Sequence, residues 1–67
     1  MRLYLWRQDI QELNEVSAKT ALDIMSDIRN TYHLPKKHYV SVKAYCKYFS
    51  VDKDDVYAVF DRRRLSS

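Results

Sequence analysis

Sixty-seven residues allow one small domain with a thin core, and 46% hydrophobic with 31% charged residues excludes the disordered class. Glycine is absent, which excludes phosphate-cradling loops, dinucleotide fingerprints and nucleophile elbows, all of which need it for close backbone approach or sharp turns. The net charge of +3 is uneven, −1 over residues 1–34 and +4 over residues 35–67, a balance that permits nucleic-acid binding without demanding it.

In chain order, Arg2 to Leu5 is a candidate short strand, and Arg7 to Leu13 a short helix with Ile10 and Leu13 inward. Val16-Ser17 places an apolar residue before a good N-cap and predicts the longest helix, ending near Tyr32. Its inward stripe is Ala18, Ala21, Met25, Ile28 and Tyr32, widened by Leu22 and Ile24. His33-Leu34-Pro35 stops it, because the residue before proline is pushed out of helical geometry. His38 to Val40 is a second candidate strand, able to pair with the first as a small ribbon. Val40-Ser41 and Val51-Asp52 repeat the apolar-plus-cap signal and predict two more helices. The first carries Val42, Tyr45, Cys46 and Phe49 at helical spacing, the second Val56, Val59, Phe60 and Arg63. The expected core is Ile10, Leu13, Val16, Ala21, Ile24, Met25, Ile28, Val42, Tyr45, Cys46, Val56 and Phe60.

A shift of 35 residues sets Tyr4-Leu5 over Tyr39-Val40, Ile10 over Tyr45, Leu13 over Tyr48 and Val16-Ser17 over Val51-Asp52. Ala21, Leu22, Ile24 and Met25 then fall on Val56, Tyr57, Val59 and Phe60. Two origins fit this match, a true duplication or two capped helix pairs that share a common pattern. The fold class expected is all-α, a compact helix-turn-helix bundle of about four helices. It allows two similar helix pairs and a minor two-stranded ribbon.

The stretch from Asp9 to Ala21 resembles the DNA-binding helix-turn-helix, with Ile10, Val16, Ala21 and Ile24 at its apolar positions. In that pattern Ser17-Ala18-Lys19-Thr20 opens the recognition helix. Together with Tyr39 to Tyr45, the chain resembles the small regulators and excisionase-like proteins of phages and mobile elements over about residues 4–62. The resemblance implies a small transcriptional regulator or recombination accessory factor that binds double-stranded DNA. A lone domain of this size binds weakly, so a homodimer or cooperative array is expected. The alternative is a protein-binding module on the same fold, a phage inhibitor or adaptor, which the acidic residues Asp23, Asp27, Asp54, Asp55 and Asp61 favour. The family usually has glycine where this chain has Glu15. Asparagine tolerates left-handed backbone better than glutamate, so the turn is expected to move onto Asn14.

Candidate DNA contacts are Ser17, Lys19 and Thr20 at a helix start, Lys36 and Lys37 beyond the proline, and Lys43 and Lys47 one turn apart. Solvated helix ends and scattered solubilising charge explain the same residues without a ligand. Arg62-Arg63-Arg64 suits the negative end of a helix dipole as well as a phosphate. Tyrosines and Trp6 beside lysines suit base stacking, or caps over a thin core with the polar edge wet. Cys46 has no disulfide partner and sits on an apolar stripe; with His33 and His38 it makes no metal set by spacing. No cofactor is expected and no catalytic constellation is present. Leu3 to Trp6 is too short for a leader or a membrane span, and a cytoplasmic protein is expected.

Overall fold

The computed structural model describes residues 3–66, with side chains as far as Arg62. Four helices and one two-stranded antiparallel ribbon follow the order β1 (Tyr4–Trp6), α1 (Arg7–Asn14), α2 (Ala18–Tyr32), β2 (Tyr39–Ser41), α3 (Val42–Phe49) and α4 (Lys53–Ser66). The fold is therefore mainly helical, and the minor two-stranded ribbon that the sequence allowed is present, one residue further along in each strand than expected at its C-terminal end. Arg2, at the start of the first expected strand, lies outside the described residues.

Each element obeys local chemistry. Ser17 Oγ accepts from the backbone N–H of Thr20 at 3.3 Å, and Ser41 Oγ accepts from that of Ala44 at 3.0 Å. Both are N-cap bonds that satisfy a donor the helix cannot use itself. At α1 the cap works from the other side, since the Trp6 backbone N–H donates to Asp9 Oδ2 at 2.8 Å. That bond gives the buried Asp9 a partner.

Three helix ends are alike. Glu15, His33 and Ser50 adopt left-handed backbone, with φ of 53°, 55° and 56°. The next residue in each case is apolar, and its N–H reaches back to close the last turn: Val16 to the Gln11 carbonyl, Leu34 to Arg29, Val51 to Cys46. The turn after α1 thus falls on Glu15 and not on Asn14. Register decides this, because Asn14 Oδ1 is held in place by the Tyr45 hydroxyl, which donates to it at 2.7 Å.

The repeat is visible in the elements themselves. β1, α1 and the start of α2 recur as β2, α3 and the start of α4, each displaced by 35 residues. Leu5 pairs with Val40, its own counterpart in the repeat; Tyr4 faces Ser41, and Trp6 faces Tyr39. That register relates the two strands by a local two-fold through the Leu5–Val40 pair.

Core residues come from every element: Leu5, Ile10, Ala21, Met25, Ile28, Val40, Val42, Ala44, Tyr45 and Val56 are buried. Leu5, Val40 and Ala44 were not among the expected core. Leu13, Val16, Ile24, Cys46 and Phe60 were, but they only pack against its edge, partly exposed. The core sits under the ribbon and between the two helix pairs, which leaves the outer faces of α2 and α4 to solvent.

Left-handed backbone costs a residue with a Cβ about 1 kcal/mol, and glycine adopts it freely. Glu15→Gly and Ser50→Gly are each expected to raise stability by up to about 1 kcal/mol, net of the looser unfolded chain. Thermal melting checks this, and a lowered midpoint in both variants contradicts the assignment of these turns.

Candidate functional site

Helix α2 has three longitudinal stripes. Ala21, Met25 and Ile28 face the core. Thr20, Asp23 and Asp27 form an exposed acidic stripe. On the remaining side, Lys19, Leu22, Ser26, Arg29 and His33 follow steps of three, four, three and four, and so share one face.

Two depressions open on that last face. One, of about 330 Å³, is bounded by Trp6, Arg7, Leu22 and Met25. The other, of about 440 Å³, is bounded by Ser26, Asn30, His33 and Lys36. Arg29, Lys37 and His38 line both, so the two depressions adjoin and together make one grooved face. Among the described residues no aspartate or glutamate lines either part.

The groove has a built wall. Arg29 Nη1 donates to the Lys37 carbonyl at 2.8 Å, tying the 33–38 loop back to α2. A guanidinium carries five donors, so this anchor leaves others for a ligand. His33 ends α2 in left-handed backbone, which turns the chain sharply into the loop. Lys36, Lys37 and His38 are exposed along it.

The sequence-predicted residues therefore divide. Lys36 and Lys37 lie together in the groove. Lys19 stands on the same helix face, about 15 Å along the axis from Arg29 at 1.5 Å per residue. Ser17 and Thr20 are exposed at the helix start, but Ser17 Oγ donates to Thr20 Oγ1 at 3.2 Å and also caps the helix, so both hydroxyls are engaged locally. Lys47 sits over the Tyr32 ring, 5.2 Å from its centroid, a cation–π contact of the protein's own. Lys43 lines a different groove. One patch containing all five lysines is not formed. Arg62 is exposed on α4, while the side chains of Arg63 and Arg64 lie outside the described ones.

The chain offered one signal for the groove residues that reasoning on lysines missed. Leu22, Arg29 and His33 share helical spacing with Lys19, whereas Trp6 and Arg7 join only through the ribbon.

The second groove, of about 680 Å³, lies at the counterpart position in the repeat: Ser41, Val42, Lys43 and Tyr57 stand 35 residues after Trp6, Arg7, Gln8 and Leu22. Its walls are mainly apolar, from Leu3, Tyr4, Val42, Cys46, Val51 and Tyr57, with Lys43, Lys53 and Asp52 at the rim. Like positions carry unlike chemistry.

Cys46, half-buried in this second groove, has its thiol pushed up first by burial and then by the Asp52 and Asp55 carboxylates. Tyr45 beside it is also raised, chiefly by burial and then by Cys46, against the opposing hydrogen bond with Asn14. Neither shift favours a nucleophile, because both keep the proton on. Among the described residues no three His, Cys, Asp or Glu side chains are grouped to hold a metal ion, and no helix is long and apolar enough to cross a membrane.

Comparison with family models, with curated proteins and with solved structures gives no match.

The raised Cys46 and Tyr45 groups bind their protons more tightly folded than unfolded. Their contribution is complete below the ordinary thiol and phenol range and is lost as pH rises through the raised folded values. Melting temperature is expected to fall as pH climbs through that alkaline window, and to fall less steeply in the Tyr45→Phe/Cys46→Ala variant. Parallel pH profiles for the two proteins contradict this.

Proposed function

We propose that this protein binds double-stranded DNA through the outer face of α2 and the basic loop beside it. The single observation that carries the proposal is the grooved face of two adjoining depressions that holds Arg7, Arg29, Lys36 and Lys37 with no carboxylate among its described lining residues. A phosphate backbone demands such a surface, because each neutralised phosphate releases a condensed counterion. Nine acidic residues are available in the chain, yet none borders this groove.

The chemistry divides into positioning and reading. Arg7, Lys36 and Lys37, from separate segments, suit phosphates on the two sides of a groove. Lys19, Ser26 and Asn30 on the exposed helix carry the donors and acceptors that distinguish base edges. Asp23 and Asp27, on the next stripe, repel phosphates and fix which way the helix lies. Acting this way, the protein serves as a small regulator or recombination accessory factor of a phage or mobile element.

A protein-binding module is the second reading. The observation in its favour is the apolar groove of the second repeat, beside which Leu3 and Val51 are 67% and 40% exposed.

Gel retardation over mixed duplex DNA at rising salt separates the two. The Lys36→Ala/Lys37→Ala variant is expected to weaken binding to all sequences alike and to reduce the salt slope by about two, near one per phosphate contact. Lys53→Ala, in the other groove, is expected to leave affinity nearly unchanged. Absence of retardation at low salt contradicts the DNA reading and moves the weight to a protein partner.

A further inference from the structure

The ribbon carries an aromatic surface to which the duplex reading gives no role of its own. Leu5 and Val40 point inward, so Tyr4, Trp6 and Tyr39 stand on the opposite, outer side. Tyr39 lies between the other two, with ring centroids 4.7 Å from Tyr4 and 5.1 Å from Trp6. Cross-strand ring pairs steady a ribbon, and that alone accounts for the contacts. It does not account for where Trp6 ends up, half exposed on the wall of the basic groove.

Trp6 and Tyr39 meet at 62°, edge against ring and not face to face. Such a pair covers at most one face of either ring, so ring surface remains for a ligand. Beside Trp6 the groove has an apolar floor, Leu22 and Met25, and a cationic rim, Arg7, Arg29 and Lys37. Its volume of about 330 Å³ is at the small end of ligand sites. A flat ring against aromatic and apolar walls, with a negative group held at a cationic rim, is the shape of a nucleobase bearing its phosphate.

We propose that this groove is a site for an unpaired base of a DNA strand, stacked on Trp6 with its flanking phosphates against Arg7 and Lys37. The proposal rests on the DNA reading for its ligand class. It adds that the protein prefers DNA in which a base is free to leave the helix, as at a gap or a junction. Stacking of this kind is tolerant of sequence, because every base offers a π face. The basic rim makes it sensitive to salt.

Trp6 is the only tryptophan in the chain, so its emission reports on this one position. The experiment titrates the full chain with a short oligo(dT), with a blunt duplex and with the same duplex carrying a gap, following tryptophan emission and fluorescence anisotropy of labelled DNA. Oligo(dT) and the gapped duplex are expected to quench Trp6, and the gapped duplex to bind about tenfold tighter than the blunt one, within the range of one stacked base. Trp6→Leu, which keeps an apolar side chain there, is expected to remove that preference, so that the gapped and blunt duplexes bind alike by anisotropy. Unquenched emission at saturating oligo(dT) overturns the site, even where the blunt duplex binds and the duplex reading stands. Quenching by oligo(dT) without duplex binding keeps the site and removes the duplex reading. Equal quenching by thymidine monophosphate at the same concentration overturns the strand assignment in favour of a mononucleotide.

Discussion

The pairing of Leu5 with Val40 is the joint on which the rest of this small protein depends. Three residues of each strand meet, and at the centre two side chains, 0% and 1% exposed, close the top of the core. The residues on either side of that pair open the helices that follow, Arg7 after Trp6 and Val42 after Ser41. Placing the strands therefore places both helix pairs. The outward side chains of the same strands then become the boundary between two grooves, Trp6 on one side and Tyr4 on the other. A three-residue strand has too few ladder bonds to stand alone, so it is burial of Leu5 and Val40 that holds the ribbon.

Two units of the same element order, joined through a strand pair with a local two-fold, would present like surfaces only if their outer residues were alike. Here several inner positions are buried in both units while the outer ones differ. Ala21 and Val56, counterparts in the repeat, are both buried, as are Ile10 and Tyr45. Arg7 against Val42 and Leu22 against Tyr57 give one groove a basic rim and the other an aromatic, apolar wall. Even the caps divide one device between them, Asp9 accepting from the Trp6 backbone and Ser41 from the Ala44 backbone. Packing constrains the inside of the first unit more than that of the second, since Met25 is buried while its counterpart Phe60 only packs against the core's edge, and solvent-facing positions are free to differ.

Helix starts were legible in the chain because capping is local chemistry: Ser17 and Ser41 each needed only a donor three residues on. The ribbon was legible as an option only, since a strand with one inward residue has no alternation to display. That is why Leu5 and Val40 were missing from the expected core. Tyr45 came through as an inward residue, but its bond to Asn14 spans 31 positions and fixes the turn on Glu15, a choice no neighbouring residue announces. For the groove, Lys36 and Lys37 could be picked out by adjacency. Arg7, Arg29 and Trp6 could not, because two turns and a strand pairing bring them there. Lys43 and Lys47 were counted as charge without a direction, and the fold sends one to the second groove and the other to the Tyr32 ring.

The claim that the ribbon is part of the core and not an ornament on it is tested most directly by amide hydrogen exchange. Val42 donates to the Leu3 carbonyl at 3.0 Å, so alternation along an antiparallel ladder makes Leu5 and Val40 the next hydrogen-bonded pair. Their amides should exchange as slowly as those of Met25 and Ile28 in α2, through unfolding of the whole domain. Rapid exchange at Leu5 and Val40 while α2 stays protected would show helices that hold together without the joint, and would contradict the account.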